Sequence, residues 1–185
     1  MDRTLRSVCV FAGSRAGNQP NFAEIASALG TELARRSIQL VYGGGRVGLM
    51  GAAANAALAA GGKVVGVIPR AMVEREWAHN AVTELVLTNG MHERKAVMAA
   101  RSDAFVVLPG GIGTLEELFE VMSWRYLSFH HKPIALLDPM GYYAPLLAML
   151  ESMVDAGFMD RDTLHLLIVA TSPEDACAKL TAALQ

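Results

Sequence analysis

The residues best equipped for chemistry lie in one stretch, Leu108-Pro-Gly-Gly-Ile-Gly-Thr-Leu-Glu-Glu117. An apolar run, 104–108, precedes it and reads as a buried strand. Leu115, Leu118, Phe119, Met122 and Tyr126 follow at helical spacing. A glycine-rich turn between a strand end and a helix start leaves backbone N–H groups unpaired. With the positive end of the helix dipole, these favour an anion such as phosphate. Gly110, Gly111 and Gly113 let the backbone come close to a ligand, and Pro109 opens the turn. Thr114 is expected to cap the helix, with Glu116 and Glu117 in its first turn. A phosphate cradle beside carboxylates suits chemistry on a nucleotide or sugar phosphate.

Glu117 has two readings. Thr114-Leu-Glu-Glu117 fits a capping box, in which the glutamate reaches back to the helix start. Yet Glu116, Glu117 and Glu120 crowd together, with no basic residue three or four positions from any of them. That favours a catalytic Glu117 and leaves Glu116 between ligand contact and cap support. The second cluster is Met91-His-Glu-Arg-Lys95. Arg94 shares a helix face with Val97, Met98 and Arg101 and meets no acid within its own helix. An arginine on an apolar face needs an anion, either a distant carboxylate or a bound phosphate. Lys95 could share that task.

These groups must be carried by alternating strands and helices. Strands are expected at 8–12, 38–42, 63–68, 85–87, 104–108, 133–137 and 166–170. Helices are expected at 21–36, 49–60, 91–102, 114–127, 143–156 and 173–184, and a loop runs through Pro69 and Trp77. Continuous apolar strands imply an α/β fold: a mainly parallel sheet with helices on both faces, Rossmann-like, as a single domain over 1–185. Ligands bind at the C-terminal strand edge of such sheets. Three glycine-rich segments fall there: Phe11-Ala-Gly-Ser14, Tyr42-Gly-Gly-Gly45 and Pro109-Gly-Gly-Ile-Gly113. Gly13, Ser14, Gly44 and Gly45 thereby join the candidate ligand contacts. Gly43-Gly-Gly-Arg-Val-Gly48 also matches the dinucleotide fingerprint, but no acid follows at the next strand end before Glu74. It reads as a phosphate- or ribose-facing loop, or as a structural turn.

Composition narrows the classes. The 185 residues are 52% hydrophobic and 18% charged, so the helices must be packed against a sheet or a partner. Sixteen basic against eighteen acidic side chains leave a formal charge of −2, which gives no electrostatic footprint for nucleic acid. No apolar run spans a membrane, and the run after Arg3 and Arg6 is too short for a signal peptide. A cytoplasmic protein is expected, with Cys9 and Cys177 reduced. The five histidines show no metal-ligand spacing, so no metal or organic cofactor is expected.

Pro109-Gly-Gly-Ile-Gly-Thr-Leu-Glu-Glu117 and Met91-His-Glu-Arg-Lys95 together resemble the two signatures of the Lonely Guy (LOG) family. Its members are cytokinin-activating phosphoribohydrolases long mislabelled as lysine decarboxylases. The likeness extends to Gly48-Leu-Met-Gly51, Gly66-Val-Ile-Pro69, Ala78-His79, Lys132-Pro133 and Gly141-Tyr-Tyr143. It implies a Rossmann-like homodimer that hydrolyses the N-glycosidic bond of a nucleoside 5′-monophosphate, with Arg94 and Glu117 as the catalytic pair. Thr88-Asn-Gly90, Tyr126 and Ser128 depart from the family pattern and bear on base preference. A decarboxylase would need a lysine bonded to pyridoxal phosphate, and Lys63, Lys95, Lys132 and Lys179 sit in no such setting. A nucleotide carrier without turnover is the alternative.

Overall fold

The computed structural model describes residues 4–73 and 77–185. In chain order the elements are β1 (Ser7–Phe11), α1 (Pro20–Arg35), β2 (Gln39–Tyr42), α2 (Gly48–Ala59), β3 (Val64–Pro69), α3 (Arg70–Val73), β4 (Glu84–Thr88) and α4 (Met91–Ala100). Then come β5 (Ala104–Val107), α5 (Ile112–Tyr126), β6 (Ile134–Leu137), α6 (Ala144–Asp155), α7 (Arg161–Leu164), β7 (Leu167–Ala170) and α8 (Pro173–Ala182). The seven expected strands form one parallel sheet in the order β4-β3-β2-β1-β5-β6-β7.

Both faces of this sheet are covered, which explains the unbroken apolar strands. Val8 and Val10 of β1 pack with α1, α2 and α8 on one side, through Leu29, Leu33, Ala53 and Leu180. Cys9 and Phe11 face the other way, toward Met98 of α4, Leu118 and Val121 of α5, and Leu150 of α6. Cys9 and Cys177 are buried free thiols. The helices α3 and α7, four residues each, were not expected. Four residues cannot show a helical period, so only tertiary packing reveals them. The loop expected through Pro69 and Trp77 therefore opens on α3, and its residues 74–76, like Arg3, lie outside the described residues.

The strand order decides where a ligand can sit. The chain starts at β1, steps outward to β4, then returns to β5 on the other side of β1. Connections leaving β1 and β5 therefore diverge and open a crevice at their C-terminal ends. Phe11 pairs with Val107 at this edge, so both glycine turns emerge side by side.

On the far side, α1 and α2 approach until their backbones touch. A Cβ on Gly30 would lie 2.1 Å from the Ala53 carbonyl oxygen. Helix propensity favours alanine over glycine by roughly 0.5–1 kcal/mol, whereas overpacking costs about 1–3 kcal/mol. Gly30→Ala should therefore cost up to about 2.5 kcal/mol net and lower the melting temperature by up to about 10 °C. An unchanged or raised value in thermal unfolding would show that the helices separate at no cost.

Candidate active site

The turn after β5 and the turn after β1 are tied together. Gly13 N donates to Pro109 O at 3.0 Å and Leu108 N to Phe11 O at 2.9 Å. Gly13 O in turn accepts from Leu49 N at 2.9 Å and Met50 N at 3.3 Å, the first amides of α2. A cavity of about 720 Å³ opens above these turns, within the range of small-molecule sites. Gly13, Ser14, Met91, Arg94, Pro109, Gly110, Gly111, Gly113, Thr114, Glu116 and Glu117 all line it, so most of the candidate residues converge. None of the N–H groups of Gly110 to Thr114 donates to a described protein acceptor. These orphan donors at the start of α5 are the kind of group that favours an anion.

The cap reading does not hold. Helix α5 begins at Ile112 after Gly111, with no side-chain cap, so Thr114 is already inside it. Glu116 and Glu117 consequently sit beyond the first turn. Glu117 is directed at the neighbouring helix instead. Its Oε1 accepts from Arg94 Nη1 at 3.2 Å, with both side chains buried. Arg94 thus has both a distant carboxylate and a place in the cavity wall. Its Nε donates to Val67 O at 3.1 Å and Nη2 to Gly43 O at 3.2 Å. Val67 O lies within β3 and Gly43 O directly after β2, and together they lock the guanidinium plane. Nη1 also reaches Met91 Sδ at 4.0 Å; a guanidinium has five N–H donors, so one remains for a ligand.

The three crowded carboxylates are balanced by Lys95, also from α4. Its ammonium bonds Glu116 Oε1 and reaches Glu120 Oε1 at 3.0 Å. Burial pulls that ammonium down, but the two carboxylates outweigh it and the net shift is upward. Lys95 is not among the lining residues, so it faces carboxylates rather than the cavity. Burial pushes the Glu117 carboxyl up to about 7, against the downward pull of Arg94. Glu116 and Glu120 push it further up, and Lys95 pulls it down.

Gly44 and Gly45 are buried and absent from the lining. Their loop makes room for other parts. A Cβ on Gly43 would fall 1.8 Å from Arg94 Nη2, and Gly44 adopts φ +73° against Ile68. The fingerprint-like glycines act as a structural turn that admits the arginine. Sequence reasoning did not name Phe22, Met50, Met72 and Tyr142 as site residues, though they supply cavity wall. Met50 and Tyr142 did fall within segments that carry the family likeness. Among the described residues no group of three His, Cys, Asp or Glu side chains could hold a metal ion.

A family model described as "Possible lysine decarboxylase" matches residues 50–180. A cytokinin riboside 5′-monophosphate phosphoribohydrolase of Arabidopsis thaliana is 44% identical over 180 residues, covering 97% of this chain and 84% of the relative. The enzyme of that name from Rhodococcoides fascians is 47% identical over 178 residues, covering 96% and 90%. The chain belongs to the LOG family. Among solved structures, the molybdenum cofactor carrier protein of Chlamydomonas reinhardtii superposes with a TM-score of 0.73 at 26% identity, covering 98% of this chain and 99% of that one. The molybdenum cofactor binding protein of Rippkaea orientalis gives 0.71 at 22% identity over 100% and 99%, a likeness of fold.

For this LOG-family chain the decarboxylase description finds no chemical footing. A Schiff base with pyridoxal phosphate needs a lysine facing the site, and no described lysine lines the cavity. The family's two signatures instead meet as the Arg94–Glu117 pair.

The raised Glu117 carboxyl has a consequence for stability. Unfolded, it titrates near 4.5; folded, near 7. Between those values the native state binds the extra proton, so this group makes stability fall as pH rises, with no further change above about 7. In urea unfolding between pH 5 and 8, Glu117→Gln should gain on the native protein up to about pH 7 and then run parallel. A constant difference across the window would place the carboxyl at its ordinary pKa in the fold.

Proposed function

We propose that the chain hydrolyses the N-glycosidic bond of a cytokinin nucleoside 5′-monophosphate, releasing the free base and ribose 5-phosphate, with AMP as an accessory substrate. One observation carries this reading. A buried carboxylate held by an arginine shares a cavity with a run of unpaired backbone N–H groups. The N–H groups of Gly110 to Thr114 bind the 5′-phosphate, aided by the dipole of α5. Gly13, Ser14 and Met91 complete the walls around the ribose and base. As the C1′–N bond breaks, its electron pair leaves with the base and positive charge develops on the ribose. The Glu117 carboxylate stabilises that charge and accepts a proton from the water that adds to C1′; this proton then passes to the departing base nitrogen, which restores the carboxylate and leaves the neutral free base. Arg94 orients Glu117, and its remaining N–H is free for the ribose or phosphate. The carrier reading explains the cradle but gives no work to a carboxylate held this way.

We further propose a single nucleotide-binding domain in the cytoplasm, working without metal or organic cofactor and binding neither nucleic acid nor membrane. Among the described residues no helix is long and apolar enough to cross a membrane. A homodimer is supported by an apolar groove of about 470 Å³ between α5, α6 and α7, where Tyr126 and Phe158 are exposed.

Glu117→Gln should reduce adenine release from AMP by about 10²–10⁴-fold. In the native protein kcat/KM should rise with pH through about 7 as Glu117 ionises. Near-native turnover in a folded Glu117→Gln variant would reduce this residue to a partner for Arg94. Hydrolysis should also depend on the phosphate. Losing two or three charge-assisted contacts lowers kcat/KM by about 10²–10⁵. Adenosine cleaved as fast as AMP would mean that the turn does not hold a substrate phosphate.

A further inference from the structure

The three carbonyls that lead into the phosphate turn are each taken by a hydrogen bond from another element. Tyr143 OH donates to Leu108 O at 2.6 Å, Gly13 N to Pro109 O at 3.0 Å, and Tyr142 OH to Gly110 O at 2.7 Å. The two tyrosines are adjacent and sit on the corner between β6 and α6. That corner is itself anchored. The buried Asp138 carboxylate accepts from Tyr142 N at 2.7 Å and Tyr143 N at 2.8 Å. Their rings meet edge to face at 5.0 Å, and Tyr142 meets Phe22 of α1 in the same way at 5.7 Å.

A trans peptide is planar, so each C=O is antiparallel to the N–H of the next residue. Holding Pro109 C=O therefore aims Gly110 N–H, and holding Gly110 C=O aims Gly111 N–H. Leu108 C=O precedes a proline, which has no N–H and a fixed φ; its bond to Tyr143 sets where the turn begins. Glycines at 110, 111 and 113 make this backbone soft. Without external bonds, its amides would have to be ordered by the ligand at the ligand's expense.

We propose that Asp138, Tyr142 and Tyr143 form a brace that preorganises the phosphate turn, with the two tyrosines as positioning residues for substrate. This rests on the reading that the turn binds phosphate. The tyrosine pair at 142–143 is then a specificity device. It raises affinity for phosphorylated ligands over their phosphate-free counterparts without touching the phosphate.

Tyr142→Phe, Tyr143→Phe and the double variant keep both rings and remove the hydroxyls. Each is measured by calorimetry against ribose 5-phosphate and against adenosine, with unfolding followed in parallel. Each single change should weaken ribose 5-phosphate by about three- to tenfold, with the double variant losing more than either. Any loss for adenosine should be at least about threefold smaller. Tyr143 is fully buried, whereas Tyr142 is half-exposed; if Tyr143→Phe fails to fold, Tyr142→Phe carries the test. Equal losses for both ligands, or native affinity for ribose 5-phosphate in a folded Tyr142→Phe, would overturn the brace. A native protein that does not bind ribose 5-phosphate would remove the phosphate reading itself, and the brace with it.

Discussion

The structure depends on burying one ion pair. Taking Arg94 and Glu117 out of water costs several kcal/mol per ion, as an order of magnitude, unless each charge finds compensating bonds. The fold provides them from within β3 and from the turn after β2. Gly43 O and Val67 O hold the guanidinium, and the guanidinium holds the carboxylate. That demand propagates outward. Position 43 admits no side chain because the arginine occupies the space, and the loop around it turns through a positive φ at Gly44 to clear Ile68. A pair this buried does little for stability, and the raised Glu117 carboxyl shows the strain of holding it. What the arrangement supplies is a carboxylate of defined position beside a run of unpaired backbone donors.

The sheet order makes this placement possible. Because β1 and β5 are neighbours with diverging connections, two turns distant in sequence share one crevice. The first turn hydrogen-bonds the second through Gly13 and Pro109, and α2 starts on the Gly13 carbonyl. Helices α4 and α5 then lie side by side on one face. One gives Arg94 and Lys95, the other Glu116, Glu117 and Glu120. Lys95 absorbs the charge of the two outer glutamates, which keeps their repulsion from driving Glu117 still further from its ionised form. The same helix pair thus carries both the buried carboxylate and the cation that moderates it.

Much of this was legible in the residues. All seven strands were expected because mainly apolar runs of three to six residues bounded by glycine or polar turns have few other uses in a chain this hydrophobic. The glycine turn with its free donors was legible for a local reason: glycines between a strand and a helix expose backbone donors wherever the rest of the chain goes. Arg94 stood out because its own helix offered it no anion. In each case the cause lies within about ten residues of the effect.

What the chain could not declare by itself were the partners. The Thr114-Leu-Glu-Glu117 pattern suits a cap, and only the start of α5 at Ile112 turned Glu117 away from it. The glycines at 43–45 suit a ligand loop, and only the arginine arriving from α4 shows what space they clear. Glu116 and Glu120 find Lys95 twenty-one and twenty-five residues away, and Tyr143 reaches Leu108 across thirty-five. Periodicity and turn chemistry are local, so the sequence by itself determined the seven strands, the longer helices, the sheet class and the glycine turn with its free backbone donors. Charge pairing and backbone bracing act through space, so the parallel sheet decided which carboxylate meets which cation and which hydroxyl holds the turn.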